Sequence, residues 1–267
     1  EEVLETSRVE NMLYRFPQVP RVVCERYGEV FNRKSQNFRL QKKAPALILA
    51  KKYGSKVLVA PDGYGYNDSR SYYFSHMLNC VYDCRYCFLQ GMYSSANYVL
   101  FVNYEDFEEA IASKIEKNSG GGVYYSGYDC DSLALEPVSD FCKYFVPLFG
   151  EYPNAELEIR TKSTQIRHLL EQPVIPNCVI AMSFTSHEAG SRWEHKVPSI
   201  DKRLEALQKL QLAGWRVALR FEPLILDSQG LTPYESLFAQ VFAKLDARKI
   251  HSVSSGLFRM PIDFHKR

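Results

Sequence analysis

Beyond residue 70 the chain alternates short apolar, β-prone runs with longer segments whose apolar residues recur at helical spacing. The pattern predicts strands at Ser71 to Leu78, Gly122 to Tyr128, Ala155 to Thr161, Cys178 to Thr185, Trp215 to Glu222 and His251 to Leu257. Helices are predicted between them, at about Glu105 to Lys117, Val138 to Phe149, Thr164 to Glu171, Ile200 to Ala213 and Tyr234 to Ala247. The fourth carries Leu204, Leu207, Leu210 and Leu212 and stops at Gly214, a residue that ends helices because it alone adopts the left-handed conformation without cost. Strand and helix in strict alternation favour parallel strands joined by crossover helices, an α/β fold. Six such units fit either a partial barrel or an open doubly wound sheet, and periodicity does not separate the two. In both, reactive groups collect at the carboxyl ends of the strands.

The first 70 residues are mixed. An early helical stretch precedes β-prone Arg21 to Phe31, a basic segment from Arg33 to Lys43, and apolar Ala46 to Ala50 and Val57 to Ala60. Turn-rich Pro61-Asp62-Gly63-Tyr64-Gly65-Tyr66-Asn67-Asp68 closes the region. The expected organisation is an N-terminal α/β extension over 1–68 and a main domain over 69–267.

At 267 residues the chain is long enough for a well-buried core. Hydrophobic residues at 46% and charged residues at 24% argue against disorder. No apolar run approaches the roughly 20 residues that span a bilayer. A net charge of +2 leaves nucleic-acid binding to local patches. Seven cysteines without a leader-like apolar segment read as metal-binding thiols in a reducing compartment, so the expected location is cytoplasmic.

Three of those cysteines, Cys80, Cys84 and Cys87, fall within eight residues at a C-x-x-x-C-x-x-C spacing, directly after the first strand of the repeat. Four thiolates would close a 4Fe-4S cluster; three leave one iron able to bind a small molecule. A structural zinc is the alternative, but it normally closes with four ligands, and no second C-x-x-C is present; Cys130 or His76 would have to complete it through the fold. Cys130 lies just past the second strand, at the same end as the triplet. Its flanking Asp129 and Asp131 argue against a deeply buried apolar site and raise the thiol pKa. A neutral thiol suits hydrogen-atom donation better than nucleophilic attack.

The triplet after the first strand of an α/β repeat resembles the radical S-adenosylmethionine (SAM) superfamily. Within it, Cys80 to Gln90, Cys130-Asp131-Ser132, Glu158 to Lys162, Met182 to Thr185 and Leu257-Phe258-Arg259-Met260-Pro261 are similar to the spore photoproduct lyase family, across residues 71 to 261. The resemblance implies a partial (β/α)6 barrel and a 4Fe-4S cluster on Cys80, Cys84 and Cys87, with SAM chelated by the open iron and an external one-electron reductant. It also implies a 5′-deoxyadenosyl radical that reverts the spore photoproduct, a methylene-bridged thymine dimer in DNA, to two thymines. Cys130 would return a hydrogen atom to the product radical, and Tyr86 would relay hydrogen between that cysteine and SAM. Where the family commonly has a second tyrosine this chain has Phe88, which has no hydroxyl to donate. Ser132, Lys162 and Ser183 are the implied SAM contacts.

A lesion inside a duplex must leave the stack to be repaired. Arg33, Lys34, Arg39, Lys42 and Lys43, interleaved with Phe31 and Phe38, are the candidate DNA-binding run, with a solvated basic loop as the alternative. The family extends past the Arg-Met-Pro region with elements that contribute to DNA binding, so residues 69–267 are expected to be a truncated barrel domain or one that engages DNA differently. Two competing readings remain: another radical SAM enzyme acting on a nucleic-acid base, and a noncatalytic Fe-S or zinc module that binds nucleic acid.

Overall fold

The computed structural model of the chain describes residues 2–31, 36–61, 70–118, 121–226 and 230–259. The turn and joint at 62–68, Arg33 and Lys34 of the basic run, and Met260 and Pro261 of the last motif lie outside the described residues.

Twelve strands are described: β1 (Leu47–Ala50), β2 (Val57–Val59), β3 (Ser71–Phe74), β4 (Met77–Leu78), β5 (Asp83–Cys84), β6 (Tyr98–Phe101), β7 (Gly122–Ser126), β8 (Ala155–Thr161), β9 (Cys178–Ser183), β10 (Glu194–His195), β11 (Arg216–Leu224) and β12 (Ile250–Leu257). Seven form one sheet in the order β12-β11-β9-β8-β7-β3-β2. From β3 to β12 each strand lies parallel to the one before it. The order never reverses, so there is no switch point of the doubly wound kind, and the chain turns steadily in one direction as a six-stranded partial barrel does. β2, which precedes residue 68, pairs antiparallel with β3 at the edge.

The inward and outward sets follow the two-residue period of a strand. Leu157 and Ile159 of β8, Ile180 and Met182 of β9, and Val217, Leu219 and Phe221 of β11 face helix residues such as Phe145, Leu204, Leu207 and Leu237 in one continuous apolar core. The alternate residues face the other way and are partly ionic. Arg220 donates to Glu158 at 2.6 and 3.1 Å, and Arg160 donates to the same carboxylate at 2.6 Å. Burial alone would push Glu158 up, but the two guanidiniums outweigh it and hold its carboxyl below the ordinary value.

Before residue 70, β-prone Arg21 to Phe31 forms no strand and holds only the 3-10 turn Tyr27–Glu29; beyond it three predicted elements differ. The strand expected over 71–78 divides: β3 stays in the large sheet, while β4 pairs with β6 in a second sheet of order β1-β6-β4. The helix expected over 138–149 breaks at Asp140, whose φ of 50° is left-handed, into Glu136–Ser139 and Phe141–Gly150. The helix expected over 164–171 shortens to Arg167–Leu170. In each case the hydrophobic period runs through the break, because both sides bury apolar residues.

Candidate active site

Each cysteine of the triplet is set by a different backbone device. Asn79, at a φ of 65°, starts the loop, and its side-chain amide donates to the carbonyls of Ser95 at 2.7 Å and Asn97 at 2.8 Å. Cys80 follows, and its Sγ accepts from the Tyr82 amide at 3.4 Å. Cys84 lies on β5, which pairs antiparallel with β10 so that Cys84 sits opposite Glu194. Cys87 closes a turn onto the Cys84 carbonyl at 3.0 Å, at the entry to the short helix Leu89–Met92.

The three thiols are close enough to act on one another. Burial, then Asp131, raises Cys80, with smaller contributions from Cys87 and Cys84. Burial pushes Cys84 up to about 12, with Lys162 opposing it, and burial raises Cys87. Among the described residues no three His, Cys, Asp or Glu side chains meet as ligands of a single ion would. The three soft sulfur donors are presented singly and close together, with the Lys162 cation acting on Cys84 and Cys87. That donor set fits a group taking one thiolate per iron, and its binding would displace the thiol protons.

Lys162, one residue past β8, lies with Nζ 3.9 Å from Glu194 Oε1 and 5.6 Å from the Tyr86 ring centroid. Burial alone would lower this ammonium, but Cys84 and Glu194 outweigh it and raise it. Glu194 accepts the Tyr86 hydroxyl on one oxygen and the Arg203 guanidinium on the other. Arg203 also donates to the Ser183 carbonyl at 2.8 Å, tying β9 to the group. Tyr86, Lys162 and Ser183 are thus gathered beside the triplet by two residues, Glu194 and Arg203, that no motif announces.

Cys130-Asp131-Ser132 leaves β7 in a loop whose three side chains diverge. Asp131 accepts from Thr161 Oγ1 and the Lys162 amide, both at 2.6 Å, and its charge acts on Cys80 and Cys87. Ser132 is fully buried, with its hydroxyl 2.8 Å from that of Ser126. Cys130 turns to the opposite side, into an apolar cluster with Val3, Val9, Met12, Met77, Leu100 and Val102. The expectation that flanking aspartates keep Cys130 out of an apolar site is therefore overturned: the thiol is only 6% exposed, because its two carboxylate neighbours point elsewhere. Its pKa is raised well above the ordinary value, by burial first and then by Asp129 and Asp131. Burial raises the Tyr86 phenol first, and Glu194 and Cys84 add to it.

The triplet, with Cys84 buried and Cys80 and Cys87 half-buried, has Asp131 from the loop after β7 and Lys162 from the end of β8 acting on it. The family model for spore photoproduct lyase matches residues 66–260. The chain belongs to the spore photoproduct lyase family. The spore photoproduct lyase of Clostridium acetobutylicum is 23% identical over 184 residues, 68% of this chain and 55% of that protein. That of Bacillus subtilis strain 168 is 22% identical over 193 residues, 72% of this chain and 56% of that protein. The chain spans about half the length of the curated relatives it matches. Among solved structures, a spore photoproduct lyase double mutant with bound AdoMet and dinucleoside spore photoproduct superposes with a TM-score of 0.82 at 17% identity, covering 99% of this chain and 78% of that one. A spore photoproduct lyase complexed with dinucleoside spore photoproduct gives the same TM-score at 18% identity, covering 92% and 72%. At these identities the likeness concerns the fold, and it agrees with the partial barrel. In this member of the family Phe88 packs 6.1 Å, ring to ring, from Tyr128, two residues before Cys130.

Proposed function

We propose that the chain is a radical SAM DNA-repair lyase that reverts the spore photoproduct to two thymines. The observation that carries the reading is the three-cysteine loop with Lys162 and Asp131 acting on its thiols, in a chain of this family. Cys80, Cys84 and Cys87 would hold a 4Fe-4S cluster, with SAM as its co-substrate. Bound together, cluster and SAM supply one electron from an external reductant and the 5′-deoxyadenosyl radical.

The chain's own residues do the rest. Lys162 brings a half-buried cation to the thiols and would meet the carboxylate of SAM, with Ser132 in the loop after β7 and Ser183 at the end of β9 as its further contacts. Glu194, itself held by Arg203, fixes the Tyr86 hydroxyl. After hydrogen is taken from C6 of the lesion and the methylene bridge breaks, a product radical remains. Cys130 holds the hydrogen to quench it: its S–H bond breaks, a C–H bond forms on the product, and a thiyl is left. Burial and two aspartates keep that thiol protonated at neutral pH, the form the transfer needs. Tyr86 is the proposed relay: its O–H bond would break as the S–H bond of Cys130 re-forms, and the phenoxyl left would take its hydrogen back from 5′-deoxyadenosine. The lesion-bearing strand is the partner, cytoplasmic DNA the setting, and residues 1–68 and 69–267 the extension and the catalytic domain.

Anaerobically reconstituted protein given SAM, dithionite and the dinucleoside spore photoproduct is expected to release thymidine product and cleave SAM. Cys130→Ala is expected to keep SAM cleavage and divert the products. Identical products from wild type and Cys130→Ala reject the hydrogen-donor role; protein that binds zinc and no iron rejects the radical chemistry.

A further inference from the structure

A cavity of about 800 Å³ lies between the N-terminal segment and the barrel and plays no part in the site above. Its volume is in the range of pockets that enclose small molecules, about 300–1,000 Å³. The lining is aromatic, with Tyr27, Phe31, Tyr53 and Tyr93, and carries one cation, Arg26, and one carboxylate, Glu2. The rings are held in place by one another: Phe31 stands 5.2 Å from Tyr93, and Tyr27 stands 5.7 Å from Phe101, edge to face. Tyr53 is 63% exposed and donates its hydroxyl to Glu2, while Arg26 acts on the same phenol in the opposite sense. Tyr93 joins the cavity to the reaction side. Its phenol is raised by burial and then by Asp129 and Cys130, which places the thiol side of the β7 loop within electrostatic reach of this wall.

From these residues we infer that the cavity receives a single unstacked nucleobase of the bound strand, a neighbour of the base being repaired, with Tyr53 and the rings behind it as the stacking surface and Arg26 against its phosphate. The chemistry decides the class of ligand. Aromatic faces accept any base, a guanidinium pairs with a phosphate, and a carboxylate accepts an N–H from a base edge. A purely apolar ligand would leave Arg26 without an anion to meet, and a peptide would not call for four aromatic rings around one cation. The inference rests on the lyase reading for the identity of the strand.

The test uses the full chain without cofactors and a short fluorescein-labelled oligothymidylate, read by anisotropy over a salt series. Tyr53 and Arg26 are exposed, so Tyr53→Ala and Arg26→Ala leave the core intact. Tyr53→Ala is expected to weaken binding about 5- to 140-fold, the effect of losing one stacked base. Arg26→Ala is expected to flatten the salt dependence by about 0.7 in log–log slope, one single-strand phosphate contact. An abasic strand of the same length should bind wild type and Tyr53→Ala alike. Wild type that fails to bind the oligothymidylate, or variants that match wild type in affinity and slope, overturn the inference. SAM cleavage and repair of the dinucleoside are measured separately on wild type. Repair without any variant effect on binding rejects the cavity alone, and variant effects without repair reject the lyase reading alone.

Discussion

Tyr86 donates its hydroxyl to Glu194 across 108 residues of sequence, and the other oxygen of that carboxylate is held by Arg203. The contact joins the cysteine loop to β10 and to the helix Ile200–Leu212, and it fixes the phenol beside Lys162.

Removing one partner of this buried pair leaves an uncompensated charge. Glu194→Ala is expected to destabilise the fold by about 3–5 kcal/mol, since the Arg203 side chain is only 1% exposed. Glu194→Leu combined with Arg203→Met is expected to recover most of that loss, because it removes both charges and refills the volume. Urea unfolding of the two variants checks it: a double variant no more stable than Glu194→Ala would show that the hydrogen bonds, and not the charge balance, hold the site.

Gly127 has a φ of 78°, and a Cβ there would stand 2.4 Å from Ser132 Oγ and 3.0 Å from the Ser132 amide. Gly127→Ala is expected to cost about 1–3 kcal/mol from the left-handed backbone and the forced shift of Ser132. Adding Ser132→Ala relieves the closer contact only, so the two changes are expected to combine to less than their sum. Unfolding midpoints test the coupling, and SAM binding by calorimetry tests whether the shift reaches the cofactor side.

His76 is fully buried against Phe141, with ring centroids 4.4 Å apart, and neither ring nitrogen has a hydrogen-bond partner among the described residues. Burial, with Lys52 adding to it, lowers its pKa from 6.5 to about 3. The folded ring stays neutral while the unfolded ring gains a proton below pH 6.5, so stability falls as pH drops from 6.5 toward 3. The slope approaches about 1.4 kcal/mol per pH unit. His76→Phe is expected to remove this slope and to stabilise the protein by about 2 kcal/mol more at pH 5 than at pH 7.5. Parallel acid limbs for wild type and His76→Phe would mean that other groups set the acid dependence.

The six parallel strands and the triplet were legible because both are local signals. Alternation along Ala155–Thr161 reports its own two faces, and Cys80, Cys84 and Cys87 lie within one loop. Family motifs extended the reading to Lys162 and Ser183, each at a strand end. Glu194 and Arg203 stayed invisible: β10 is two residues long, too short for any period, and its partner β5 is equally short.

By itself the sequence determined the strand-helix repeat and the place of the three-cysteine loop just after its first strand, since each depends on residues close in the chain. Only the tertiary structure decided the sheet order, the split of β3 from β4 at Ser75 and His76, the carboxylate and guanidinium that hold Tyr86, and the side to which Cys130 points. The physical reason is burial at long range. A thiol between two aspartates reads as polar until the fold sends Asp131 to Thr161 and Lys162 and leaves Cys130 among Val3, Val9 and Met12.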